Sequence, residues 1–171
     1  VRGYELQLPV CYFCLKSGLL CKTCDEKLKK GEITKLDIEI AKWFLENEGK
    51  YPQLKDCTFY RAVQKDNLLV VLIGCKSKGL TAFWRKVSKA LSEDRGVNVR
   101  IIEKTPSLRN ILSQLLFPAK VISLNTVWLP DGSCESTVKI ALEDLKKLPA
   151  DAKVLEEVIN ELLRETVYIA T

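Results

Sequence analysis

Cys57-Thr-Phe-Tyr-Arg-Ala-Val-Gln64, then Lys65-Asp-Asn67, then Leu68-Leu-Val-Val-Leu-Ile-Gly74: the reading of the fold turns on this stretch. Two strand-like runs flank a short polar turn, which reads as a β-hairpin. The second run is apolar at every position from Leu68 to Ile73. A strand of that kind has no side to offer to water, so it belongs in the middle of a sheet covered on both faces.

Upstream of the hairpin, Thr34 is placed to cap a helix, with Asp37 at its third position favourable to the amino-terminal dipole. Leu36, Ile40, Trp43 and Phe44 fall on one helical face, and Gly49 and Pro52 end the run. Downstream, the basic segment Cys75 to Gly79 leads into helical sequence from about Leu80 to Asp94, with Val87, Ala90 and Leu91 inward. Gly96 breaks that helix, and Val97 to Glu103 alternates as a third strand.

The remainder repeats the pattern. Ser107 caps a helix with the stripe Leu108, Ile111, Leu112, Leu115 and Leu116, and Pro118 stops it. Val121 to Leu129 and Cys134 to Ala141 read as strands joined by the turn Pro130-Asp-Gly-Ser133. Asp144 to Leu148 reads as a short helix. Asp151 caps a longer one bearing Leu155, Val158, Ile159 and Leu162, and Thr166 to Ala170 closes as a strand. Two α-β-β-α-α-β units are therefore expected, at 32–104 and 105–171, behind a separate module at 1–31.

That module holds two C-x-x-C pairs, Cys11-Tyr-Phe-Cys14 and Cys21-Lys-Thr-Cys24. Each pair delivers two sulfurs to one ion, and two pairs complete the tetrahedral shell of a structural Zn²⁺ with no open position for water. Spacing this tight favours a metal over two disulfides or a redox pair. The expectation is one structural zinc in a small knuckle or ribbon, docked through Tyr12, Phe13, Leu19 and Leu20. Of the three other cysteines, Cys57 and Cys134 read as small buried side chains and Cys75 as a more reactive thiol.

Composition is that of a globular protein: 47% hydrophobic and 29% charged residues over 171 positions. No stretch has the length of a membrane span and no leader is evident, so the expected location is cytoplasmic, with reduced thiols. Histidine is absent, which excludes imidazole catalysis and histidine ligands. No nucleophile–base pair is apparent, and Gly74-Cys-Lys-Ser-Lys-Gly79-Leu80-Thr81 lacks the lysine that a phosphate-binding P-loop needs after its second glycine. A non-catalytic protein without a small-molecule substrate is expected. Of the net charge of +5, residues 57–104 carry +6, against +1 before them and −2 after them. Localised positive charge suits a polyanionic partner.

The order α-β-β-α-α-β resembles the bacterial-type (type II) KH domain, and its tandem repetition resembles the paired KH domains of NusA. Leu124-Asn-Thr-Val-Trp-Leu-Pro-Asp-Gly-Ser133 is similar to the strand and turn of the second KH unit in archaeal NusA-like proteins. The four-cysteine segment looks like the zinc-binding extension of one branch of them. The resemblance implies an α+β fold and an RNA-binding protein acting in transcription elongation or termination. The alternative it leaves is a protein-interaction module docking on RNA polymerase or a ribosomal particle.

KH domains clamp nucleotides with a G-x-x-G loop. Here the slot holds Thr81-Ala-Phe-Trp84 in the first unit and Pro149-Ala-Asp-Ala152 in the second, with no glycine in either. The RNA contacts expected in the first unit are therefore Lys76, Lys78, Thr81, Phe83, Trp84, Arg85, Lys86 and Lys89. Adjacent helical residues point about 100° apart. Phe83 and Trp84 are thus expected to divide between core and surface, the exposed ring stacking on bases or anchoring a protein partner.

Overall fold

The computed structural model describes residues 6–77 and 79–171. Its architecture is α+β, with two three-stranded sheets. The elements run α1 (Tyr12–Ser17), α2 (Lys22–Lys29), α3 (Lys35–Asn47), β1 (Cys57–Lys65), β2 (Leu68–Cys75), α4 (Thr81–Arg95), β3 (Asn98–Glu103), α5 (Leu108–Leu116), β4 (Val121–Trp128), β5 (Cys134–Ile140), α6 (Ala152–Leu163) and β6 (Thr166–Ala170). Short 3₁₀ turns occupy Pro52–Asp56 and Leu142–Lys147.

Both sheets have the same wiring. In the order β1-β2-β3, the first pair is antiparallel and the second parallel; β4-β5-β6 repeats this. One helix, α4, connects β2 to β3 where two were expected, because the loop before Leu80 is too short for another. In the second half the additional turn is the 3₁₀ segment Leu142–Lys147.

β2 explains its own composition. Leu69, Val71 and Ile73 enter a core with Ile40 and Phe44 of α3 and Val87 and Leu91 of α4. Leu68, Val70 and Leu72 enter a second core with Ile111, Leu112 and Leu115 of α5 and Leu155, Val158 and Ile159 of α6. That second core also takes Val138, Ile140 and Val167 from the other sheet. The layers therefore run α3/α4, first sheet, α5/α6, second sheet, and the α5/α6 layer is buried on both sides. The break at residues 104–105 is crossed by a continuous apolar core.

Local capping follows the sequence. The Thr34 hydroxyl accepts from the Asp37 amide at 3.1 Å while the Asp37 carboxylate accepts from the Thr34 amide at 2.9 Å, a complete capping box. The other Asp37 oxygen accepts from the Ala62 amide at 2.8 Å, just past the bulge between Phe59 and Arg61 that bends β1. Ser107 caps α5 through the Asn110 amide, whereas Asp151 stands at the start of α6 without a side-chain cap bond.

Two cysteine expectations change. Cys57 and Cys75 face each other across the β1–β2 ladder and form a disulfide, so neither is a free thiol. Cys134 is a half-buried free thiol on β5.

Candidate metal centre and basic groove

The four amino-terminal cysteines converge. Cys11 and Cys21 stand at the N-caps of α1 and α2, which puts Cys14 and Cys24 at the third helical positions. The module is thus built from two short helices, each opening on a C-x-x-C. All four sulfurs lie within 4.8 Å of one another. Cys11 Sγ is 4.0 Å from Cys21 Sγ, 3.9 Å from Cys24 Sγ and 3.0 Å from Cys14 Sγ. A tetrahedral ion with metal–sulfur bonds of about 2.3 Å needs sulfurs roughly 3.8 Å apart, so modest opening of the Cys11–Cys14 pair seats one ion.

The thiols hold their protons unequally. Cys14 is pushed up to about 12, first by its hydrogen bond with Cys11. Cys21 is lowered to about 7, first by the backbone amide of Cys24, while burial raises Cys24. The cluster is positioned to hold a metal ion, and its closed set of sulfur donors leaves no vacant position for a substrate.

Docking of this module follows expectation in part: Leu20 packs against the first core and the Tyr12 hydroxyl donates to Leu6 O at 2.8 Å, but the other two residues do not dock. Phe13 and Leu19 are 71% and 74% exposed, while Val10, Cys14, Leu15 and Cys24 enter the first core. The reason is the helical turn: with Cys14 facing inward, Leu15 follows it to the α3 side, and Phe13 is rotated out.

A groove of about 650 Å³ lies between α4 and β3, bordered by α5. Thr81, Trp84 and Arg85 line it from α4, Val99 to Ile101 and Glu103 from β3, and Gln114 and Phe117 from α5 and its end. A second hollow of about 360 Å³ shares Ser88, Val99 and Arg100 with it and adds Lys89, Asn98 and Pro149. Together they form one track along the outer edge of β3.

That edge is open. The Asn98 amide donates to Asn67 O and the Lys104 amide to Ile73 O, so even-numbered backbone groups of this strand face β2. Odd-numbered groups face away. At Glu103 they are taken by Gln114, whose Oε1 accepts from the Glu103 amide at 2.8 Å and whose Nε2 donates to its carbonyl at 3.1 Å. Val99 and Ile101 point the same way with no partner among the described residues, which leaves unspent donors and acceptors along the groove.

Of the residues expected to act together, Thr81, Trp84, Arg85 and Lys89 reach this track. Lys76 and Lys86 are exposed outside its lining, and Lys78 lies outside the described residues. The division expected of Phe83 and Trp84 does not occur, because both are buried, at 9% and 5% exposure. Phe83 packs edge-on against Tyr51, 5.9 Å between ring centroids, and Trp84 faces β3. The first turn of α4 sits between these two neighbours, so faces 100° apart are both covered.

Arg100 carries no signal in the sequence, where it reads only as the outward member of an alternating strand. It donates to Gln114 O at 3.2 Å, and partial burial lowers its pKa from the ordinary guanidinium value. A neighbouring anion would offset that desolvation. Glu103, Gln114 and Phe117 also carried no local signal.

The equivalent groove of the second half, between α6 and β6, has the opposite character. It is about 370 Å³, is lined by Glu156, Glu157 and Glu161 with a single cation, Lys153, and the outward Ile169 amide is already held by Glu156 at 2.9 Å. Pro149 to Ala152, the second glycine-free slot, forms the approach to α6.

The chain matches no protein-family model and no curated protein. It does resemble solved structures. The crystal structure of APE1850 superposes with a TM-score of 0.52 at 22% identity, covering 74% of this chain and 96% of that chain. At that identity the likeness concerns the fold alone. Among the described residues, no helix is long and apolar enough to cross a membrane.

Proposed function

We propose that this chain is a non-catalytic, NusA-like RNA-binding protein built on two tandem KH units, with one structural zinc held by Cys11, Cys14, Cys21 and Cys24. Its role would lie in transcription elongation or termination, in the cytoplasm. The observation that carries the reading is the α4–β3 track: Arg85, Lys89 and Arg100 beside a strand edge whose Val99 and Ile101 backbone groups are unspent. Single-stranded RNA suits such a groove, because phosphates meet the cations while unpaired bases present hydrogen-bonding edges to the strand. The amino terminus of α4, uncapped by any side chain, adds favourable potential for phosphate in place of the missing glycine clamp. The acidic second groove adds nothing to this, which supports a reading with the contacts in the first unit.

The zinc is structural in this reading. Its binding free energy folds a segment of two helices too short to hold themselves.

The test is fluorescence anisotropy of zinc-loaded protein with short single-stranded RNAs at low and physiological salt. Alanine at Arg85, Lys89 and Arg100 together should weaken binding at least tenfold and flatten its salt dependence. Alanine at Lys76, Lys78 and Lys86 should weaken it less. Absence of binding at low salt by folded, metal-replete protein would overturn the reading.

One observation favours a second reading, docking on RNA polymerase or a ribosomal particle. Val127 and Trp128, 61% and 73% exposed at the end of the β4–β5 hairpin, form an apolar tip of the kind that anchors protein interfaces.

A further inference from the structure

Among the described residues, Glu103 is the one carboxylate in the wall of the basic groove. Its placement is controlled by three hydrogen bonds with two residues. Trp84 Nε1 donates to Oε1 at 2.6 Å, and Gln114 holds both the amide and the carbonyl of the same residue. Oε2 has no partner among the described residues. A carboxylate repels phosphate, so a nucleic-acid strand in this groove must turn some other group toward it.

We propose that Glu103 is a specificity-determining residue that reads the Watson–Crick edge of one unpaired guanine in single-stranded RNA; the inference rests on the RNA-binding reading above. Each carboxylate oxygen has two acceptor sites, so the Trp84 bond leaves one on Oε1 and both on Oε2. Guanine alone among the four bases presents two adjacent donors, N1–H and the N2 amino group, spaced to meet the two oxygens of one carboxylate. Adenine and cytosine offer an amino donor beside a ring-nitrogen acceptor, and uracil offers one N–H between two carbonyls. In each of those, an acceptor faces the second carboxylate oxygen and repels it.

The neighbouring groups complete the recognition. Glu103 projects to the α4 side of β3, with Val99 and Ile101, which pack against the first core. Arg100 projects to the other side, toward α5. A strand lying along the edge therefore meets Arg85 and Arg100 with its phosphates and the pinned carboxylate with a base.

The experiment compares three eight-nucleotide RNAs on the full, zinc-loaded chain: all uridine, the same with one central guanosine, and the same with inosine there. Inosine keeps N1–H and lacks only the amino group. The guanosine RNA should bind about tenfold more tightly than the inosine RNA, the difference expected from one charge-assisted hydrogen bond. Glu103→Gln can still accept from Trp84 but replaces an acceptor with a donor, so the preference should fall below twofold. Affinity for the all-uridine RNA should rise in that variant, because a negative charge has left the groove. Equal binding of guanosine and inosine RNAs by the unaltered chain would overturn this inference and leave RNA binding standing. A preference retained in Glu103→Gln would do the same. Failure of all three RNAs to bind would overturn the RNA reading itself. The inosine comparison needs no variant, so it decides the matter even if Glu103→Gln fails to fold.

Discussion

Trp84 Nε1 donates to the Glu103 carboxylate at 2.6 Å, tying the first turn of α4 to the last residue of β3 across the floor of the basic groove. The indole is buried and the carboxylate lines the groove, so one hydrogen bond couples the core to the surface expected to bind. Trp84→Phe removes the donor together with part of the buried ring. Stability should fall by at least about 1–3 kcal/mol, from the lost hydrogen bond to a charged partner and the lost packing together. Urea denaturation of the two proteins measures it; an unchanged midpoint would show that the bond contributes nothing net.

The metal centre predicts a graded response to chelation. One metal equivalent should be found per chain, and cobalt substitution should produce intense thiolate-to-metal absorption. Structural zinc sites contribute on the order of 10 kcal/mol to folding their own module. Chelation should therefore unfold α1 and α2 while the β-sheet signal persists. Cys14→Ser should abolish stoichiometric binding. Protein that keeps its full helical signal without metal would contradict this.

The buried Asp37 carboxylate accepts from two amides, those of Thr34 and Ala62. Asp37→Ala would keep the Thr34 hydroxyl cap on the residue-37 amide but leave the Thr34 amide and the Ala62 amide, beside the β1 bulge, without their acceptors. The orphaned buried Ala62 amide should cost about 1–3 kcal/mol. Thermal denaturation should show a clear loss, whereas Thr34→Ser, which preserves the cap, should show little.

Asp144 supplies a pH-dependent contribution. Its carboxylate accepts from Lys147 Nζ at 2.9 Å and from the Lys120 amide at 3.2 Å, and these bonds hold it below the usual carboxylate range. A lowered folded-state pKa stabilises the fold above the unfolded value, about 3.9, and the contribution is lost as pH falls through the lowered value. Asp144→Asn should thus be less stable than the unaltered chain at pH 7, with the gap closing toward acid. Denaturant melts at pH 7 and pH 3 follow it; a gap that is constant with pH would assign the effect to packing.

The shared core predicts one transition for most of the chain. Leu72 belongs to the first sheet yet packs among the α5 and α6 side chains, and Ile102 does the same. Leu72→Ala should cost about 2–5 kcal/mol and destabilise both halves together. Calorimetry resolving a separate melt for the second half would refute the continuity of that core.

The sequence alone was enough for whatever depends on neighbours along the chain. Thr34 and Asp37 announce the start of α3, Pro118 the end of α5, and the C-x-x-C spacing the meeting of four sulfurs, because each works within one or two turns of backbone. The six apolar residues from Leu68 to Ile73 even required cover on both faces of β2. Which helices supplied that cover was decided only in three dimensions, where α5 and α6 of the second half close the far side of the first sheet. The same holds for the groove. Arg85 and Lys89 were visible as charges on a helix, but Arg100, Glu103 and Gln114 are ordinary residues of a strand and a helix until β3 becomes an edge. The burial of both Phe83 and Trp84 and the pairing of Cys57 with Cys75 likewise rest on contacts between segments that local pattern does not encode. Periodicity says which face of an element avoids water; only packing says what that face meets.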